Sequence, residues 1–376
     1  MVGRYRIPAI FRPGSGAGAG SFTGYLPGPS MTAPLDSAFV KDAARAAGFH
    51  LAGVARAEPL DPRALDRMLA IGGEADMAWL RTQRAPRLDP ALLLPEVRSV
   101  VALALSYHAG NGAPPPDGAG EVARYARGRD YHAVMKRKLR DLEARLRARD
   151  PGIRTYASSD IAPVMEKAWA ERAGIGWVGK NGCLITERHG SWVLLATLLV
   201  DRDLAADAPH PERCGTCTAC LGACPTGAIP EPGLVDARRC LSFWTIERRG
   251  EIPAEIADRV GGRVFGCDAC QTVCPWNRGV DPASDPELAP RPGQAALGID
   301  DLLALSEEDY RRRFHGTSLA RARYDGLVRN ALLLAGHAGD ARRTDAVRAH
   351  LGSPFPGVRA AAEWALERLS RAAAFH

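Results

Sequence analysis

The sequence has no unbroken apolar stretch near the ~20 residues that cross a bilayer as a helix, which excludes a membrane-spanning helix. Its longest apolar runs, Val100 to Leu105 and Trp192 to Val200, have the length of buried strands. Residues 1–30 are rich in Gly, Ser and Pro, with no apolar signal segment and no adjacent arginine pair, which excludes secretory and twin-arginine signals. The expectation is a disordered leader over 1–33, Met31 as an alternative start, and a cytoplasmic protein without a membrane partner. No nicotinamide- or flavin-binding motif stands out, so any electrons come from an external protein. A strong charge of one sign is also lacking. Lys and Arg number 49 against 43 Asp and Glu, a net +6 that permits a nucleic-acid partner without demanding one.

What is present fits a globular protein. At roughly 150 residues per domain, 376 residues give about two and a half domains. Hydrophobic residues at 46% with charged residues at 24% exclude a disordered chain. The pattern predicts a helix over Asp36 to Ala47 ending at Gly48, and another from Asp61 and Pro62 toward Gly72. A strand follows at Ser99 to Tyr107. From Asp130 to Arg149, Val134, Leu139, Leu142 and Leu146 share one face of an amphipathic helix that Pro151 and Gly152 end. Next come a strand at Ile153 to Tyr156, a helix at Val164 to Ala173, and strands around Cys183 to Thr186 and Trp192 to Val200. Helices and strands thus interleave, an α/β or α+β arrangement. The stretch from His210 to Arg278 is too rich in Gly and Pro for a conventional core. Asp281 to Gly293 is a linker. From Ile299 onward the pattern is helical, Leu327 to Leu334 and Val358 to Leu369 forming inner helices that lean on the preceding domain.

The nine cysteines carry the chemistry. Cys214, Cys217, Cys220 and Cys224 stand as C-x2-C-x2-C-x3-C followed by Pro225, the bacterial ferredoxin run. A second, incomplete copy, Cys267, Cys270 and Cys274 before Pro275, is completed by Cys240. In such runs the fourth thiolate reaches the neighbouring cluster. One 4Fe-4S cluster is thereby assigned to Cys214, Cys217, Cys220 and Cys274, the other to Cys240, Cys267, Cys270 and Cys224. Paired C-x2-C elements also make zinc sites, but the tight three-cysteine run and the proline after each copy argue against zinc. Cys183 is left over as a buried, inert thiol.

Further motifs flank these cysteines: D-I-A-P-V-M-E (Asp160 to Glu166), A-E-R-A-G-I-G-W-V-G-K-N (Ala170 to Asn181), C-L-S-F-W-T-I-E (Cys240 to Glu247), G-C-D-A-C-Q-T-V-C-P-W-N (Gly266 to Asn277) and G-L-V-R-N (Gly326 to Asn330). With the ferredoxin run they resemble the epoxyqueuosine reductase family, over about Pro34 to Leu369. The resemblance implies an α+β protein in three parts. These are a nitroreductase-like cobalamin-binding catalytic core at 34–205, a ferredoxin-like domain with two 4Fe-4S clusters at 206–282, and a HEAT-like helical, tRNA-contacting domain at 298–376. It implies base-off cobalamin, reduction of epoxyqueuosine to queuosine at the wobble position of tRNA, an external flavodoxin or ferredoxin donor, and a monomer. It makes Asp160 the catalytic proton donor beside cobalamin, and Ser242 and Asp268 cobalamin contacts. Ile161 stands where the family usually has Thr or Ser. The alternative is a cytoplasmic reductive dehalogenase-like cobalamin enzyme acting on a small molecule.

Opening an epoxide to an alkene needs two electrons and protonation of the departing oxygen, and a carboxylic acid serves near neutral pH if burial raises its pKa. From position alone Asp160 equally reads as a helix N-cap, and Asp130 as the cap of its own helix. His132 is an alternative candidate as a cobalt ligand. Lys180 and Asn181 are candidate phosphate or corrin contacts, or solvated loop residues. Arg311, Arg312, Arg313, Arg321, Arg323, Arg329, Arg342, Arg343 and Arg348 supply charge for tRNA phosphates.

Overall fold

The two longest apolar runs pair with each other at the centre of the protein. In a computed structural model, which describes residues 35–373 apart from 111 and 284, Ser99–Ser106 lies antiparallel to Val193–Val200, from Ser99 opposite Val200 to Ser106 opposite Val193. Leu51–Arg56 and Thr155–Ser158 flank them and complete a four-stranded antiparallel sheet. Both faces are covered, which is why the central strands read as continuous apolar sequence. On one face Val101, Leu103, Leu105, Ala196 and Leu198 meet Val134, Leu139, Leu142 and Leu146 of the helix Tyr131–Arg149, together with the helix Ser37–Ala46. On the other, Val100, Ala102, Ala104 and Leu199 meet Leu65, Leu69, Trp169 and Ala170. Each fully buried large side chain there contributes about 1.5–3 kcal/mol.

The predicted caps form. Asp36 accepts the Phe39 N–H, and Asp130 accepts the His132 N–H. Asp61 accepts the Arg63 N–H, but helix begins only at Arg63. The strand expected at Ile153 to Tyr156 is shifted to Thr155–Ser158 because its partner, Val193–Val200, extends the ladder to Ser158 opposite Thr197. The following helix is shorter than expected, Glu166–Arg172, which leaves Ser159 to Met165 as a loop. A two-residue strand absent from the sequence reading, Trp177–Val178, pairs with Leu184–Ile185. Gly176 is required there: a Cβ would lie 2.1 Å from the Ile185 carbonyl oxygen.

The cysteine-rich stretch does contain a conventional core in its middle, contrary to expectation. Leu241, Phe243, Trp244, Ile246, Ile256, Val260 and Phe265 are buried in one cluster with Leu327, Leu332, Leu334, Val358 and Leu369 of the helical tail. Its elements, a π-helical turn Phe243–Glu247, a helix Ala254–Val260 and a strand Arg263–Phe265, are too short to show a period. The tail helices Arg323–Ala338 and Pro356–Ala373 pack on each other, Gly336 closing on Trp364, and lean on this stretch as predicted.

A second sheet draws on three distant stretches. Ala119–Val122 is its middle strand, parallel to Arg263–Phe265 and antiparallel to Ala296–Gly298. The segment expected to be a linker is instead a strap along the basic side of Tyr131–Arg149. Lys138 pairs with Asp285 at 2.8 Å, Arg129 with Glu287 at 2.7 Å, Arg137 with Glu287 as well, and Leu288 is buried. Among the described residues no helix is long and apolar enough to cross a membrane. The leader and Met31 lie outside the described residues.

Candidate functional site

Cys214, Cys217, Cys220 and Cys274 line one cavity of about 230 Å³, with Lys180, Asn181 and Trp276 completing its wall. The fold thus gathers three thiols of the ferredoxin run with the last thiol of the second copy. Trp177 donates its indole N–H to the Cys214 sulfur at 3.4 Å.

The other four sulfurs also neighbour one another. Burial raises the Cys240 pKa first, and the Cys224 thiolate adds to it. Burial likewise raises Cys267, with a contribution from Cys240. Around Cys224 burial is outweighed by amide donors, including the Ala228 N–H at 3.1 Å, and its pKa falls. The Ser242 hydroxyl and backbone N–H both reach the Cys240 sulfur. Gly266, immediately before Cys267, has φ +72°, and a Cβ there would come within 2.6 Å of Ala123 Cβ.

Cys183 is not an isolated thiol. It touches the Cys270 sulfur, and its N–H donates to Asn181 Oδ1 at 3.1 Å. Lys180 and Asn181 both reach the cysteine loops: half-buried Lys180 donates to the Gly215 and Cys217 carbonyls, buried Asn181 to that of Cys270. Their polar groups help to hold these loops, a role the sequence reading did not assign.

Asp160 caps no helix. It sits in the Ser159 to Met165 loop with φ +60°, a left-handed conformation that strains a non-glycine residue. Its side chain is 69% exposed, yet desolvation by the surrounding walls is the largest influence on it, as for a group lining a cleft. Tyr131 donates to Asp160 Oδ2 at 2.5 Å, and His132 Nε2 lies 3.7 Å from the same oxygen. These partners outweigh desolvation and hold the Asp160 carboxyl below the usual range. The expectation that burial raises the pKa of Asp160 is therefore corrected. Burial does raise a neighbour, Glu166, to about 7. Glu166 also accepts the Asp160 N–H at 3.0 Å. For His132, desolvation lowers the pKa but bonds to Asp130 and Asp160 prevail and push it up to about 9. With Asp130 2.8 Å from Nδ1, both ring nitrogens face carboxylates, so the imidazole is part of an acid cluster and not a free metal ligand. The sequence reading missed Tyr131 and Glu166, although Glu166 lies within the Asp160 motif.

Asp268 is buried and its pKa raised, burial being the main cause; its Oδ2 accepts the Arg124 N–H at 2.8 Å. The adjacent Tyr125 lies within electrostatic reach of both Asp160 and Asp268 and packs edge-on against Tyr131, so the fold brings the two aspartates to one site. Ser158 Oγ, Thr197 Oγ1, His108 Nδ1 and Trp192 Nε1 are buried without a hydrogen-bond partner in the protein. Protein alone encloses them, so they are positions for buried water and not the wall of an open cofactor site.

The tail arginines divide. Arg311, Arg312, Arg342 and Arg348 are exposed, each paired with a nearby acid; Arg323 is exposed as well. Arg321 pairs with Glu247, and Arg343 with Asp300 and Asp340. Arg329 is 2% exposed and bonded to backbone carbonyls, which removes it from any phosphate-binding surface.

A complete ferredoxin run and a partial second copy, with four of the thiols lining one cavity, mark an iron-sulfur protein. Residues 213–277 match the family of 4Fe-4S double cluster binding domains. Residues 87–160 match the family described as epoxyqueuosine reductase QueG. The epoxyqueuosine reductase of Gloeobacter violaceus is 46% identical over 81% of this chain and 97% of its own, and that of Pseudomonas aeruginosa 39% identical over 88% and 93%. A solved epoxyqueuosine reductase with an epoxyqueuosine-modified tRNA-Tyr stem loop superposes with a TM-score of 0.81 at 34% identity, covering 88% of this chain and 89% of that one. A Bacillus subtilis epoxyqueuosine reductase, its catalytic aspartate loop swung out of the active site, gives 0.80 at 34% identity over the same shares. The chain belongs to the epoxyqueuosine reductase family.

Proposed function

We propose that this chain reduces epoxyqueuosine to queuosine at the wobble position of tRNA. The observation that carries the reading is the acid cluster of Asp160, Tyr131 and His132 beside Asp268 and the second set of thiols, in a chain of this family. Cys214, Cys217, Cys220 and Cys274 hold one 4Fe-4S cluster, and Cys224, Cys240, Cys267 and Cys270 the other. Asp160, Ser242 and Asp268 would hold cobalamin. When bound, these groups supply the two electrons that, with two protons, turn the epoxide into an alkene and water.

The chain's own residues manage the protons. With Asp160 ionised and the imidazolium of His132 charged at neutral pH, the proton for the departing oxygen comes from His132 and passes through the Asp160 carboxylate. Tyr131 fixes the carboxylate, and Glu166 tethers the loop through the Asp160 amide. A loop held in a strained conformation by two side-chain tethers is suited to swinging, as its relative's does. The nitroreductase-like core spans 34–205, the ferredoxin-like domain 206–282 and the HEAT-like tail 298–376, whose exposed arginines meet tRNA phosphates. A flavodoxin or ferredoxin delivers electrons at the cavity of the first thiol set to a cytoplasmic monomer. No observation favours dehalogenation of a small molecule.

The test is anaerobic reconstitution with iron, sulfide and cobalamin, followed by reductant and an epoxyqueuosine-containing stem loop. Queuosine among the digested nucleosides supports the reading. Its absence from protein that carries both clusters and cobalamin rejects it.

A further inference from the structure

Arg329 and Asn330 are a buried polar pair in the tail helix Arg323–Ala338, far in sequence from every cysteine. A guanidinium taken out of water is costly unless its donors are satisfied. Here Arg329 donates to the carbonyls of Trp244 at 2.7 Å, Arg248 at 3.0 Å and Gly250 at 2.8 Å, and its other donors meet Asn330 Oδ1. Asn330, fully buried, donates to the carbonyls of Thr245 at 2.9 Å and Val264 at 2.8 Å.

These acceptors belong to two backbone segments, each next to a cysteine. The Trp244 N–H donates to the Cys240 carbonyl at 3.2 Å. The Thr245 hydroxyl donates to the Leu241 carbonyl at 2.7 Å and accepts the Gly266 N–H at 2.9 Å, joining the segment after Cys240 to the residue before Cys267. The first segment contains the π-helical turn, whose widened ring leaves carbonyls outside the ordinary ladder for Arg329 to take. In return Arg249 donates to the carbonyls of Arg321 and Ala322 at the start of the tail helix.

We propose that Arg329 and Asn330 are positioning residues for the second cluster site: inserted from the tail, they lock the two backbone segments that present Cys240 and Cys267. This rests on the ligand assignment above. The pair touches neither sulfur; it acts through Trp244, Thr245 and Val264. Lys in place of Arg329 keeps the charge but cannot span three carbonyls in the plane of a guanidinium.

Four variants decide the matter, each reconstituted as the full chain and assayed for iron per chain, for the electron paramagnetic resonance signals of the reduced clusters, and for thermal midpoint. Cys267→Ala should lose one of the two cluster signals. Arg329→Lys should lose or shift the same signal and leave the other unchanged. Leu369→Ala, a cavity in the last tail helix at a residue of the same core that holds none of the carbonyls taken by Arg329 and Asn330, should lower the thermal midpoint at least as much and keep both signals. Thr245→Val, nearly the same shape without the hydroxyl, should perturb the same signal as Arg329→Lys, and it decides alone if Arg329→Lys does not fold. Both signals unchanged in Arg329→Lys and in Thr245→Val, while Cys267→Ala loses one, would overturn the proposal. Equal loss of both signals in Arg329→Lys and Leu369→Ala would reduce the pair to a general stabiliser and overturn it too. Two intact signals in Cys267→Ala would reject the ligand assignment, and the proposal with it.

Discussion

Tyr131 and Asp160 share a 2.5 Å hydrogen bond that ties the first turn of a long helix to a loop 29 residues away. The loop has few other fixed points: its next residue, Ile161, is 74% exposed, and Glu166 supplies the second tether through the Asp160 amide. Charge is therefore gathered around Asp160, itself ionised, with a protonated His132 at its carboxylate and a Glu166 that titrates near neutrality at its amide.

Asp160→Asn keeps the shape but abolishes the acid. Turnover should fall by about 10²- to 10⁴-fold, the usual worth of a positioned general acid. Iron content and tRNA affinity should match the wild type. Nucleoside mass spectrometry gives the rate, and wild-type turnover in this variant removes Asp160 from the chemistry.

The His132 shift fixes the alkaline limb. Because the pKa is raised in the folded state, from 6.5 to about 9, the associated stability is complete below pH 6.5 and is lost as pH rises through about 9. Activity should decline over the same window. His132→Gln should flatten the alkaline loss of denaturant midpoint between pH 6 and pH 10 while leaving the neutral structure intact by circular dichroism.

Cys274→Ala removes a thiol from the cavity shared with Cys214, Cys217 and Cys220. One cluster signal should vanish and the other persist. Loss of the signal that survives in Cys267→Ala would confirm that the two copies exchange ligands.

Leu142→Ala opens a cavity where the helix Tyr131–Arg149 meets the sheet, at a position with no exposed surface. The cost should be about 2–5 kcal/mol, read from urea denaturation of the cluster-loaded chain. A cost under 1 kcal/mol would mean that this face is not packed as described.

Arg311→Gln and Arg312→Gln test the tail as a phosphate-binding surface. Stem-loop affinity should fall steeply with salt in the wild type, and the logarithmic slope should drop by about 0.7–0.9 for each phosphate contact removed. A wild-type affinity insensitive to salt would exclude the electrostatic reading of the tail.

Legibility followed the range of the interaction. The central strands were readable because burial on both faces leaves unbroken apolar runs, and the helix Tyr131–Arg149 because its apolar period and its Asp130 cap are local. The cysteine spacing was readable because ligation imposes a short, strict pattern. The core of Leu241 to Phe265 was not, since each short piece is stabilised by tail residues some 60 or more positions later. Nor did the sequence disclose that Tyr131 meets Asp160, or that Arg329 is an internal strut and not a surface charge. Those roles exist only once distant segments touch.

The three-stranded sheet bears on how this chain can be taken apart. Its middle strand, Ala119–Val122, owes one neighbour to Arg263–Phe265 and the other to Ala296–Gly298. A fragment ending near residue 205 would strip both sides of that strand, leaving two rows of unsatisfied amides and carbonyls as a template for aggregation. The sequence divides into recognisable parts, but those parts are not independently expressible modules; truncations should be designed around this sheet, not around the cysteine motifs.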